Sequence, residues 1–99
     1  MHNVNPTPHP GAYISEMVLR PFSLTRYRLA KDLGISQTRL TEILEGRRAL
    51  TADTALRLEA FSGIGAEFWL TAQMSFDLAR LRGELKRELS EIQPYNPTK

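Results

Sequence analysis

The chain has no cysteine and only two histidines. Without thiols there is no disulfide framework, no thiolate metal site and no thiol nucleophile, which fits a reducing compartment. His2 and His9 have no Asp, Glu or further His at ligand spacing, so no metal is expected. No combination of Ser, His and acid suggests an activated nucleophile. Glu16, Asp53, Glu59 and Glu67 are explained as helix-surface or first-turn carboxylates, so neither an enzyme nor a cofactor is expected. No window approaches eighteen apolar residues, and the N-terminus has no charged head followed by an apolar run. Membrane insertion and secretion are therefore not indicated, and a soluble cytoplasmic protein is the expectation. Strand-like alternation and internal repeats are missing too, which points to an all-α chain.

What the chain has is basic charge gathered in one place. Its 99 residues with 41% hydrophobic content suit one small domain. From residue 20 to residue 48 there are seven bases (Arg20, Arg26, Arg28, Lys31, Arg39, Arg47, Arg48) and three acids (Asp32, Glu42, Glu45), while the flanks are close to neutral. Such a segment is a weak pointer to a polyanionic partner.

The opening MHNVNPTPHPG, rich in proline, reads as an extended lead-in over residues 1–9, with order starting near Pro10. Ile14, Val18 and Leu19 recur at helical spacing until Pro21 ends a first helix. Thr25 can cap a second, with Leu29, Ala30 and Leu33 on one face and Gly34 ending it. Ser36 caps a third, with Leu40, Ile43 and Leu44 inward and Gly46 at its end. A fourth follows Thr51, with Asp53 in its first turn and Leu56, Leu58 and Phe61 available for burial; Gly63 closes it. A fifth starts at Glu67 and carries Phe68, Trp69, Ala72, Phe76, Ala79 and Leu81, with a break expected near Gly83. Residues 82–99 read as a helical extension with Leu85, Leu89 and Ile92 on one stripe, then a flexible tail.

The second and third helices meet the steric needs of a helix-turn-helix. Ala30 is small where two helices must approach, Gly34 turns the chain, Ile35 plugs the angle, and Leu40 follows six residues later to pack on Leu29 and Leu33. In such a unit the third helix enters the major groove with its N-terminal residues at the base edges. Gln37 can pair bidentately with adenine, Arg39 can reach guanine or a phosphate, and a methyl of Thr38 or Thr41 can touch thymine. Glu42 can accept from a cytosine amino group or simply point along the helix. Thr25, Arg26 and Arg28, with Arg47 and Arg48, are placed to hold the phosphate backbone.

The stretches NPTPHPG (5–11), RLAKDLGISQTRLTEILEGRRALTADTALRLEAF (28–61) and AEFWLTAQMSFDL (66–78) resemble the HigA-type antitoxins, a branch of the phage-repressor-like helix-turn-helix family. The resemblance covers about residues 4–81. It implies a five-helix domain over residues 10–81 that dimerises, represses its own operon at a palindromic operator, and neutralises a HigB-type mRNA endonuclease. Gln37, Thr38 and Thr41 match base-reading positions, and Thr25, Arg26, Arg47 and Arg48 match backbone-contacting ones. The EFW region and the helix after it, with Phe68, Trp69 and Phe76, correspond to the dimerisation segment. Ala12 stands where the family has glutamate, and Gly65-Ala66 replaces its Ser/Thr-Pro, which weakens the cap of the fifth helix. Two other readings stay open from the sequence: a repressor without a toxin, and a protein-interaction module whose DNA binding is vestigial.

Overall fold

A computed structural model describes residues 7–98, so the part of the proline-rich opening before Thr7 lies outside the described residues. Among the described residues the chain forms six α-helices and no strand: α1 Pro10–Ile14, α2 Arg26–Leu33, α3 Gln37–Leu44, α4 Ala52–Ser62, α5 Ala66–Glu84 and α6 Lys86–Ser90. A π-helical turn, Ser15–Leu19, continues α1 without interruption and closes on the bond from Arg20 N–H to the Ser15 carbonyl at 3.0 Å. Pro21 follows at once, as its missing N–H requires.

The N-caps of α2, α3 and α4 are local chemistry and fall where the sequence places them. Thr25 Oγ1 accepts from Arg28 N–H, Ser36 Oγ from Arg39 N–H, both at 3.0 Å, and Thr51 Oγ1 from Thr54 N–H at 3.4 Å. Gly34 takes φ 74°, a left-handed value that a β-carbon makes costly, and so lets α3 leave the end of α2 at an angle. Ile14, Val18, Leu29, Leu40, Ile43, Leu58 and Trp69 are wholly buried in one cluster drawn from α1, the π turn and α2 to α5. Leu56 does not join them: it is 57% exposed on the outer face of α4, one residue off the line of Ala55 and Leu58. Phe61 is only partly covered.

Residues 7–11 are a working part of the fold. His9 caps α1, its Nδ1 accepting from Gly11 N–H at 3.0 Å, and its ring meets Phe76 of α5 edge-on with centroids 4.9 Å apart. Gly11 lies against the end of α3 so closely that a β-carbon there would overlap the Ile43 carbonyl oxygen and come within 2.8 Å of Leu44 Cα. The His-Pro-Gly sequence thus ties the N-terminus to both α3 and α5. Partial burial holds the His9 imidazole below its ordinary pKa, opposed by the Asp77 carboxylate. A depressed histidine favours the fold in its neutral form, so stability is expected to be full above about pH 6.5 and to decline as the pH falls from there towards the lowered value. Denaturant unfolding at two pH values checks this, with His9→Asn, an uncharged capping residue, expected to remove much of the difference.

The fifth helix starts at Gly65, whose lack of a side-chain cap is made good from a distance: Glu59 Oε1 of α4 accepts from Ala66 N–H at 2.7 Å. Buried Gln73 likewise serves a loop, accepting from Leu50 N–H at 2.7 Å while donating to Asp77 at 3.0 Å. The break expected near Gly83 falls two residues later, at Leu85, between α5 and α6. No described residue beyond Gln73 is buried. The radius of gyration is 17.2 Å, against about 13 Å for a compact chain of this length. The second half of α5, α6 and the segment after it bury no residue against the body.

Candidate nucleic-acid interface

The turn between α2 and α3 is pinned from below. Arg57 of α4 donates to the Leu33 carbonyl at 2.9 Å and to Asp53 at 2.7 Å, so the joint rests on a cation that its own helix holds. The sequence signals for α2 and α3 say nothing of Arg57, because the contact spans 24 residues. Leu40 and Ile43 are buried, which turns Gln37 and Thr38 outward and leaves Thr41 and Glu42 partly exposed. With Arg47 these four line a shallow depression of about 280 Å³. Hydrogen-bonding groups of three kinds, an amide, two hydroxyls and a carboxylate, thus line the outer side of α3 from its first turn to its last.

Arg39, expected among the base readers, is not in this group. Its guanidinium runs to α4, donating to Thr54 Oγ1 at 2.6 Å and to Asp53 Oδ1 at 2.9 Å. Asp53 is held by Arg57 and Arg39 together, and these two cations keep its carboxyl below the ordinary range. Arg39 therefore fastens α3 to α4, and the side chains left on the open outer face of α3 are Gln37, Thr38, Thr41 and Glu42.

The residues expected at the phosphates surround that face. Thr25 uses its oxygen as a cap and keeps its hydroxyl hydrogen free to donate. Arg28 pairs with Asp32 along α2 at 2.8 Å. Arg26 reaches Glu45 at 3.3 Å, Arg47 reaches Glu45 at 2.6 Å, and Arg48 reaches Glu42 at 2.7 Å. All four arginines are exposed, and exposed pairs of this kind add little to stability because water screens them. They can be exchanged for phosphate oxygens at small cost.

The three residues expected at a subunit interface separate in the structure. Trp69 is wholly buried and donates Nε1–H to the Ile64 carbonyl at 3.2 Å, so it belongs to the core. Phe76 lies under His9. Phe68 is 39% exposed and packs edge-on against Tyr13 at 5.6 Å. The apolar stripe that the sequence shows at Leu81 and Leu85 begins earlier, at Leu70, Met74 and Leu78 on the side of α5 turned away from the core, and of these Leu70 and Met74 were not expected; all but the partly covered Leu81 are exposed. Its spacing of four, four, three and four was legible beside the core stripe once a second apolar face was sought.

A capped, outward-facing α3 docked on α2, with arginines at both its margins, defines a helix-turn-helix protein. A helix-turn-helix family model matches residues 17–69. Virulence-associated protein I of Dichelobacter nodosus is 39% identical over 94 residues, 95% of this chain and 86% of that protein. Among solved structures, an addiction module antidote protein of the HigA family from Coxiella burnetii is 37% identical, with a TM-score of 0.85 over 92% of this chain and 100% of that one. The Pseudomonas aeruginosa antitoxin HigA, solved with the higBA promoter, is 27% identical with a TM-score of 0.85, covering 91% and 99%. The chain belongs to the HigA-type antitoxin family of helix-turn-helix proteins.

Proposed function

We propose that this protein is an operator-binding antitoxin: two copies bind a palindrome upstream of their own genes and repress them, and the same protein neutralises a HigB-type mRNA endonuclease. The observation that carries the DNA reading is the outward convergence of Gln37, Thr38 and Thr41 on a helix flanked by Arg26, Arg28, Arg47 and Arg48. The base contacts specify and the arginines set register. A solved relative in this family is a complex with promoter DNA, which supports the same use of α3 here. The antitoxin reading rests on family membership alone.

Equilibrium binding to duplex DNA from immediately upstream of the gene, against an unrelated duplex, tests the first part. Gln37→Ala is expected to weaken the upstream duplex by about tenfold or more, the worth of one bidentate base pair contact, and to leave the unrelated duplex unchanged. The slope of log K against log salt should not change, because glutamine neutralises no phosphate. Equal loss on both duplexes would remove Gln37 from the reading set. For the second part, inhibition of mRNA cleavage by a HigB-type toxin is the measurement, and no inhibition by the folded protein would overturn it.

A further inference from the structure

The arginines at the margins of α3 are not free cations awaiting DNA. Glu45, the residue that ends α3, accepts from Arg26 through Oε2 at 3.3 Å and from Arg47 through Oε1 at 2.6 Å. Arg26 opens α2, and Arg47 lies beyond α3, so a single carboxylate gathers two arginines from different elements at the C-terminal end of α3. Glu42 repeats the arrangement with Arg48 at 2.7 Å and Arg47 at 3.8 Å. Glu42, however, lines the depression beside Gln37 and is itself placed to touch a base, whereas Glu45 does not line it.

We propose that Glu45 is a specificity-determining positioning residue: it aims Arg26 and Arg47 while opposing their use on DNA that offers phosphates alone. The inference rests on the DNA-binding reading above. A carboxylate and a phosphate compete for the same guanidinium geometry. On unrelated DNA the phosphates must displace Glu45 and bring its charge close to their own, with nothing further gained. On the operator the base contacts add free energy that offsets the exchange, and both arginines are already gathered beside the end of α3. Arg47 and Arg26 hold the Glu45 carboxyl below the ordinary range, so it stays ionised throughout the neutral region.

The test compares wild type, Glu45→Gln and Glu45→Asp on the upstream duplex and an unrelated duplex across a salt series. Glu45→Gln is expected to bind the unrelated duplex about two- to fivefold more tightly, the equivalent of one exposed ion pair. Its salt slope there should steepen by up to about 0.9 for each arginine released to a phosphate. Affinity for the upstream duplex should rise less, so the ratio between the two falls. Glu45→Asp, which keeps the charge, should stay near wild type on the unrelated duplex. A merely structural part for Glu45 predicts the opposite sign, with both duplexes bound more weakly by Glu45→Gln, and that result overturns the inference while leaving the DNA reading in place. Unchanged binding of the unrelated duplex by Glu45→Gln also overturns it. A wild-type protein with no preference between the duplexes overturns the DNA reading and this inference together.

Discussion

Trp69→Ala is expected to lose about 3 to 5 kcal/mol of stability, and Phe68→Ala, one residue before it, far less. Trp69 is wholly enclosed and its indole N–H is satisfied by the Ile64 carbonyl, so truncation leaves a large cavity and orphans that oxygen. Phe68 is 39% exposed and meets Tyr13 only at its edge. In a domain of this size each kcal/mol moves the unfolding midpoint by roughly 4 to 8 °C, so Trp69→Ala should melt at least about 12 °C below wild type. Thermal unfolding of both variants followed by circular dichroism checks the contrast. Equal midpoints would mean that Trp69 contributes less to the core than its enclosure implies.

That contrast marks the boundary of what the sequence makes legible. Short-range chemistry reads well: Thr25, Ser36 and Thr51 cap the helices as expected, and Gly34 turns the chain between α2 and α3, because each acts on backbone groups within a few residues. The inward positions of α2 and α3 follow from helical spacing, which in turn puts Gln37, Thr38 and Thr41 outside. Side chains whose partners are distant in sequence do not read so well. Arg39 reads as a side chain open to bases, and nothing near it in sequence announces that its guanidinium meets Asp53 and Thr54 of α4. Glu59 looks like a solvated surface acid, yet it caps α5 in place of the side chain that Gly65 lacks. His9 is extended, as the lead-in was expected to be, but its packing on Phe76 was not foreseen. In each case tertiary geometry decides between partners that the sequence leaves equally available.

The longest helix poses the same problem for assembly. One face of α5 is used by the core through Ala66, Trp69, Ala72 and Gln73. The face carrying Leu70, Met74, Leu78 and Leu85, with Leu81 partly covered, is turned to solvent among the described residues, and it continues towards Leu89 of α6 and Ile92 beyond it. A helix projecting into water gains little from propensity alone and usually owes its stability to packing on an apolar face. A spacing of fours and threes is also what lets two helices pack along a seam. We place the seam of the dimer proposed above on this stripe; Trp69, wholly buried in its own subunit, does not reach it.

Leu78→Glu separates assembly from folding, because Leu78 is 42% exposed in the single chain and lies outside the core cluster. The variant is expected to keep its helical spectrum and melting behaviour as a monomer, but to sediment at the mass of one chain where wild type sediments at twice that mass. A monomer engages one half-site at a time and loses the gain from linking two, so affinity for the full upstream duplex should fall by about two orders of magnitude. Affinity for an isolated half-site should not change, since α3 and its arginines are untouched. This pairing of results is what distinguishes a lost interface from a damaged reading head, which would weaken half-site and full-site binding alike. If Leu78→Glu still sediments as a dimer, the subunits meet elsewhere, and the exposed Phe68 edge beside Tyr13 becomes the next surface to alter.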